Sequence, residues 1–233
     1  MAFGTIGIIG AMQEEIKLLL AKLDNKASEQ HAGITYYRGE FEGRKVVITR
    51  SGVGKVNAAV CTQVLIDRFG ADAVIFTGVA GAVDPTLNIG DIVISSSSLQ
   101  HDVDATPLGF PRGTIPYQDV SEYPADSRLI QLAEEAGQRV FPGRCITGKV
   151  LSGDQFIADR AIVKGLYEEL GGACTEMEGA SVAQVCFMND IPHVIIRSMS
   201  DKADGSADVN FAEFTIEAAN RSFAIVDEMI KGL

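Results

Sequence analysis

The chain is poor in positive charge and in metal-holding side chains. Its 233 residues carry 20 Lys and Arg against 31 Asp and Glu, a formal net charge of −11 at pH 7. Phosphate backbones are gripped by clustered cations, so this balance argues against a nucleic-acid partner. Histidine occurs only at 31, 101 and 193, and cysteine only at 61, 145, 174 and 186, with no C-x-x-C pair. Neither set has zinc-ligand spacing, so no metal and no cofactor is expected, and the thiols read as reduced. His101, with Asp102 and Asp104 after it, reads as the polar start of a loop rather than a metal site. No stretch approaches the ~18 uncharged apolar residues of a membrane span. The first seven residues have no basic segment leading an apolar run. No membrane association and a cytoplasmic location are therefore expected. G-x-G-x-x-G is missing too, and Gly52-Val53-Gly54-Lys55 is followed by Val56 where a Walker motif needs Ser or Thr.

What is present is apolar patterning. Hydrophobic residues make up 46% of the chain, enough at this length for a single domain over residues 1–233. Short β-branched runs at 6–9, 45–49, 73–77, 91–95 and 193–198 read as strands buried on both faces. Ile16, Leu19, Leu20 and Leu23 place one apolar stripe on a helix over 12–23. Helices are also expected over 57–69, 126–139, 160–170, 179–189 and 211–231. The alternation predicts an α/β fold, a three-layer α/β/α sandwich around a mixed, mostly parallel central sheet, with an inserted hairpin at 34–49. Residues 104–125 hold four of the seven prolines and read as a long loop serving as a lid or subunit contact.

Three small-residue turns follow strands: Gly10-Ala11-Met12, Gly52-Val53-Gly54, and Thr77-Gly78-Val79-Ala80-Gly81. Each alone fits a tight turn, but ligands of open α/β folds sit at the carboxyl ends of strands, so the three together suggest one pocket. Carboxylates fall at the same ends. Glu14 and Glu15 occupy a first helical turn, where the macrodipole alone accounts for acids. Glu176-Met177-Glu178 precedes a small-residue helix, and Arg197-Ser198-Met199-Ser200-Asp201 ends the most apolar strand, where Asp201 could simply be a cap. The functional alternative is convergence of Glu15, Glu178 and Asp201 as a water-activating base, a sugar-hydroxyl acceptor and an acid.

Together with Ser152-Gly153-Asp154-Gln155-Phe156-Ile157, these motifs make the whole chain, in order, resemble the 5′-methylthioadenosine/S-adenosylhomocysteine nucleosidases, whose superfamily also contains nucleoside phosphorylases. The resemblance implies hydrolysis of an N-glycosidic bond in an adenine nucleoside, with catalytic Glu15 activating water and catalytic Asp201 assisting protonation of purine N7. It implies that Glu178, beside Glu176 and Met177, binds the ribose hydroxyls, that Phe156 and the Ile157 backbone hold adenine, and that Met12, Val53 and Phe211 surround the 5′-alkylthio group. Gly81 and Ser200 belong to the same substrate-binding motifs. A homodimer is implied in which Leu108 and Pro116 complete the neighbouring site. Members often have an aromatic residue at the position of Leu108 and Ser at that of Val79. The rival readings are a phosphate-dependent phosphorylase, a non-catalytic nucleoside-binding module, and a nucleosidase for another 6-aminopurine compound. Against the first, a carboxylate ~4 Å from phosphate costs on the order of 4 kcal/mol at an effective dielectric near 20, and Glu14 and Glu15 stand at the first turn, leaving Lys55 as the dissenting cation.

Overall fold

A computed structural model describes residues 3–203 and 207–233. The chain runs β1 (Ile6–Gly10), α1 (Gln13–Ala21), β2 (Asp24–His31), β3 (Ile34–Phe41), β4 (Arg44–Arg50), α2 (Lys55–Phe69), β5 (Ala73–Ala82) and β6 (Ile92–Gln100). It continues through β7 (Glu122–Pro124), α3 (Ser127–Val140), β8 (Cys145–Ser152), α4 (Arg160–Leu170), β9 (Gly172–Glu176), α5 (Gly179–Met188), β10 (His193–Asp201) and α6 (Ala207–Gly232).

The strands form one mixed sheet with helices on both sides. At its centre β1 lies parallel between β4 and β5, and β10 runs parallel to β5. The expected hairpin is present as β3 and β4, and β2 extends it at the sheet edge. The sequence reading missed β2 and β8. It also left 104–125 without structure, whereas Thr106–Leu108 forms a 3-10 turn and β7 pairs with β6. One further feature was not foreseen: β5 pairs with β10 and, through Gly81 and Ala82, with β9. Strands β10, β6, β8, β9 and β5 thereby close into a ring, which draws the ends of β5, β9 and β10 together.

Side chains alternate across each strand, so the β-branched runs bury both faces. Ile8, Ile48, Ile75 and Val194 pack with α1, α3 and α6, while Ile9, Val47, Val74 and Ile195 pack with α2 and α5. Each such buried side chain is worth ~1.5–3 kcal/mol over exposure, so these strands carry much of the apolar stabilisation. Helix ends follow from local chemistry. Asp126 accepts the Arg128 and Leu129 amides, both at 3.0 Å, at the start of α3, and α2 ends at Gly70 in the left-handed region, φ 64°, where a Cβ is costly. Among the described residues no helix is long and apolar enough to cross a membrane.

Candidate active site

A cavity of about 300 Å³ opens where the carboxyl ends of β1, β5, β9 and β10 meet the turn after β4. Met12, Glu15, Val53, Gly81, Phe156, Ile157, Glu176, Met177, Glu178, Ser200, Asp201 and Phe211 all line it. The glycine turns after β1 and β4, the 77–81 stretch and the three separated carboxylates therefore share one site. The 77–81 stretch is not the turn expected from its small residues but the continuation of β5 to Ala82, because those residues pair with β10 and β9. Leu108 and Pro116 do not line it; Leu108 lies on the 104–125 segment with 70% of its surface exposed.

Glu15 is buried in the first turn of α1, yet it points into the cavity rather than serving the helix dipole from the surface. Its Oε2 accepts the Ala11 and Met12 amides at 2.6 and 2.8 Å, and its Oε1 accepts the Val79 amide at 3.0 Å. Three backbone donors, two from the turn after β1 and one from β5, thus fix the carboxylate. Because the contact from position 79 is made by the main chain, Val is as serviceable there as Ser. Burial pushes the Glu15 pKa up, opposed by the Arg197 charge and these amides.

The two acids around Met177 have different surroundings. Glu176 is consumed by the protein: it accepts from the Ser152 hydroxyl, the Gly179 amide and the Arg197 guanidinium. Glu178 accepts the Gly54 amide at 2.8 Å and lies 3.8 Å from Arg197 Nη2. Its pKa is pushed up to about 8, first by burial and then by the Glu176 charge, with Arg197 opposing both. Gly54 holds φ 101°, which lets the turn offer its N–H to Glu178 and explains the second glycine.

Arg197 is the functional residue that sequence reasoning missed. It is 1% exposed, faces Glu176, Glu178 and Glu15, and stacks 4.0 Å from the Phe76 ring centroid. An Arg inside a run as apolar as Val194-Ile195-Ile196 was the available signal, because a buried cation requires acids nearby. Gly78 leaves room for this group: a Cβ there would sit 2.3 Å from Arg197 Nη1 and 2.3 Å from Glu15 Oε1. Gly78→Ala is therefore expected to displace Glu15 and to lose roughly 10²-fold or more in turnover, the scale of a proton-transfer group, at a stability cost of ~1–3 kcal/mol for overpacking. Steady-state rates alongside thermal unfolding check this; a stable, fully active variant contradicts the geometry.

Asp201 is buried at the end of β10, with Oδ1 accepting the Ala203 amide at 2.7 Å and Oδ2 lying 2.8 Å from Ser200 Oγ. Ser200 thus meets the site through Asp201. Gly81 admits the carboxylate, since its Cβ would lie 2.7 Å from Asp201 Oδ1. Phe156 packs edge-on against Phe211, centroids 5.6 Å apart at 82°, forming an aromatic wall continued by buried Ile157. Lys55, the possible phosphate ligand, is turned away: its Nζ pairs with Asp102 at 2.6 Å and it does not line the cavity. Among the described residues no group of three His, Cys, Asp or Glu could hold a metal.

Residues 5–231 match the family model described as Phosphorylase superfamily. A 5′-methylthioadenosine/S-adenosylhomocysteine nucleosidase from Psychromonas ingrahamii is 43% identical over 98% of this chain and 99% of its own length. The nucleosidase of that name from Neisseria meningitidis, solved in complex with methylthio-immucillin-A, superposes with a TM-score of 0.95 at 38% identity, covering 99% of this chain and 100% of that one. Futalosine hydrolase of Helicobacter pylori shares the fold at a TM-score of 0.93 and 33% identity, covering 98% of both chains. With this similarity running the length of the chain, the protein belongs to the phosphorylase superfamily and, within it, to the 5′-methylthioadenosine/S-adenosylhomocysteine nucleosidases.

Proposed function

We propose that the protein hydrolyses the N-glycosidic bond of 5′-methylthioadenosine and S-adenosylhomocysteine, releasing adenine and the 5′-thio-substituted ribose. The observation that carries this reading is the lining of the cavity: Glu15, Glu176, Glu178 and Asp201, with no Lys, Arg or His among the described lining residues. Such a lining repels phosphate and favours a neutral water and a sugar gaining positive charge.

In the reaction the C1′–N9 bond breaks, its electron pair passing into the purine while a water oxygen bonds to C1′. Glu15 takes a proton from that water, and Asp201 assists delivery of a proton to N7 so that adenine leaves neutral. Glu178 accepts hydrogen bonds from the 2′ and 3′ hydroxyls, and in its ionised form, which Arg197 and the Gly54 amide favour, its charge favours the oxocarbenium-like sugar. The Phe156 ring and the Ile157 backbone take the purine, and Met12, Val53 and Phe211 take the 5′-alkylthio group. Glu176 acts through Arg197 and Gly179 rather than on substrate. No cofactor enters the scheme.

A cytoplasmic homodimer completes the proposal. Four unpaired cysteines suit a reducing compartment. The exposed Leu108 and the nearby Pro116 suit closure of the apolar end of a neighbour's cavity.

The test is incubation with 5′-methylthioadenosine with and without phosphate, identifying the sugar product. Free methylthioribose without phosphate supports the proposal. Sugar 1-phosphate formed only with phosphate would make it a phosphorylase, and absence of adenine release would leave a binding module or another nucleoside.

A further inference from the structure

Beside the reaction cavity, across a ridge formed by Ala11, Met12 and Val53, lies a second groove of about 500 Å³. The ridge residues line both spaces. The groove's far walls come from the first turn of α1, the start of β3 and the end of β4, and they bring Gln13, Glu14, Thr35, Tyr37 and Arg50 to its surface. The reaction cavity offers acids and apolar side chains, whereas this groove offers one cation and one anion. Arg50 and Glu14 are both exposed. Among the described residues neither side chain has an ion-pair or hydrogen-bond partner, and they do not pair with each other.

Unpaired exposed charges are ordinarily just solvated. These two differ in position, since they line a groove that shares with the cavity Met12 and Val53, the residues proposed above to take the 5′-alkylthio group. With the alkylthio group held there, a methylthio group would end at that ridge. A homocysteinyl group continues past it on a short aliphatic stem and ends in a zwitterion, which cannot be left in an apolar cavity without charged partners or water. Resting on the function proposed above, we infer that this groove receives the amino-acid end of the 5′ substituent, Arg50 taking its carboxylate and Glu14 its ammonium. The planar guanidinium suits the carboxylate because its paired N–H donors match the two oxygens. Arg50 and Glu14 are thereby specificity-determining residues that leave the chemistry untouched.

The experiment compares S-adenosylhomocysteine and 5′-methylthioadenosine as substrates of the wild type, Arg50→Gln, Arg50→Glu and Glu14→Gln. For S-adenosylhomocysteine, KM is expected to rise roughly fivefold in Arg50→Gln, the upper range for an exposed ion pair, and further in Arg50→Glu, with kcat retained. For 5′-methylthioadenosine neither constant moves. Raising ionic strength raises the wild-type KM for S-adenosylhomocysteine, and Arg50→Gln, which keeps only the Glu14 pair, weakens that dependence. Equal KM changes for both substrates, or an unaltered KM for S-adenosylhomocysteine, would overturn the subsite while leaving the nucleosidase reading intact. A wild type that cleaves neither substrate would overturn both.

Discussion

Glu15→Gln and Asp201→Asn each lower kcat by roughly 10²- to 10⁴-fold while nucleoside binding stays measurable. The two amides are near-isosteric with the acids, so the cavity and its aromatic wall survive, and what is lost is proton transfer. Glu15→Gln carries an extra local penalty. Its carboxylate oxygens accept three backbone amides, and a carboxamide must turn its NH2 toward one of them, leaving a buried donor facing a donor. Because both groups act in the transition state, the loss is expected in kcat with KM little changed, and the double variant is expected to lose less than the product of the two single losses. The wild-type rate should also fall as pH drops through the raised Glu15 pKa, since a protonated base cannot accept from water; any residual Glu15→Gln rate should lack that limb. Steady-state kinetics across pH, with calorimetric binding of 5′-methylthioadenosine to the slow variants, decide the matter. Near-wild-type rates in both variants would remove these two side chains from the chemistry.

The sequence exposed this site unevenly. Glycine turns after apolar runs marked strand ends at Gly10 and Gly52, and the acids at 15, 178 and 201 stood beside strand ends, whereas Gly78, expected in a third turn, lies inside β5. Periodicity and turn chemistry report local structure, and these features are local. The ring closure of β5 onto β9 and β10 was illegible because it depends on pairing between distant segments. Strand β2, Asp-Asn-Lys-Ala-Ser-Glu-Gln-His, escaped because it is a polar, mostly exposed edge strand, and edge strands tolerate polar residues on both faces. The different roles of Glu176 and Glu178 were equally hidden. Two acids flanking one Met look alike in sequence, and only the position of Arg197 separates the one held by protein from the one aimed into the cavity.

Arg197→Met is expected to be the most damaging single change outside the reacting groups, for a reason that charge counting makes plain. Glu15, Glu176 and Glu178 are all buried, and the one guanidinium among them has the charges of all three raising its own pKa. Removing one partner of a buried ion cluster typically costs ~3–5 kcal/mol, because the remaining charges keep their desolvation penalty and lose its compensation. The sign of the pH dependence separates this from simple loss of packing on Phe76. Without the guanidinium the pKa values of Glu15 and Glu178 rise further above their unfolded values. Stability from a carboxyl with a raised folded pKa is fully present below its unfolded value and is lost as pH rises through the folded one. The wild type already loses some stability in that direction, with Glu178 at about 8. The Met variant should therefore approach wild-type stability near pH 5 and fall progressively below it toward pH 9, and its activity should set in at higher pH because Glu15 ionises later. Thermal unfolding of both proteins across that range, with kcat–pH profiles, tests the idea. A deficit independent of pH would make Arg197 a packing residue whose charge does little to hold down the pKa values of Glu15 and Glu178.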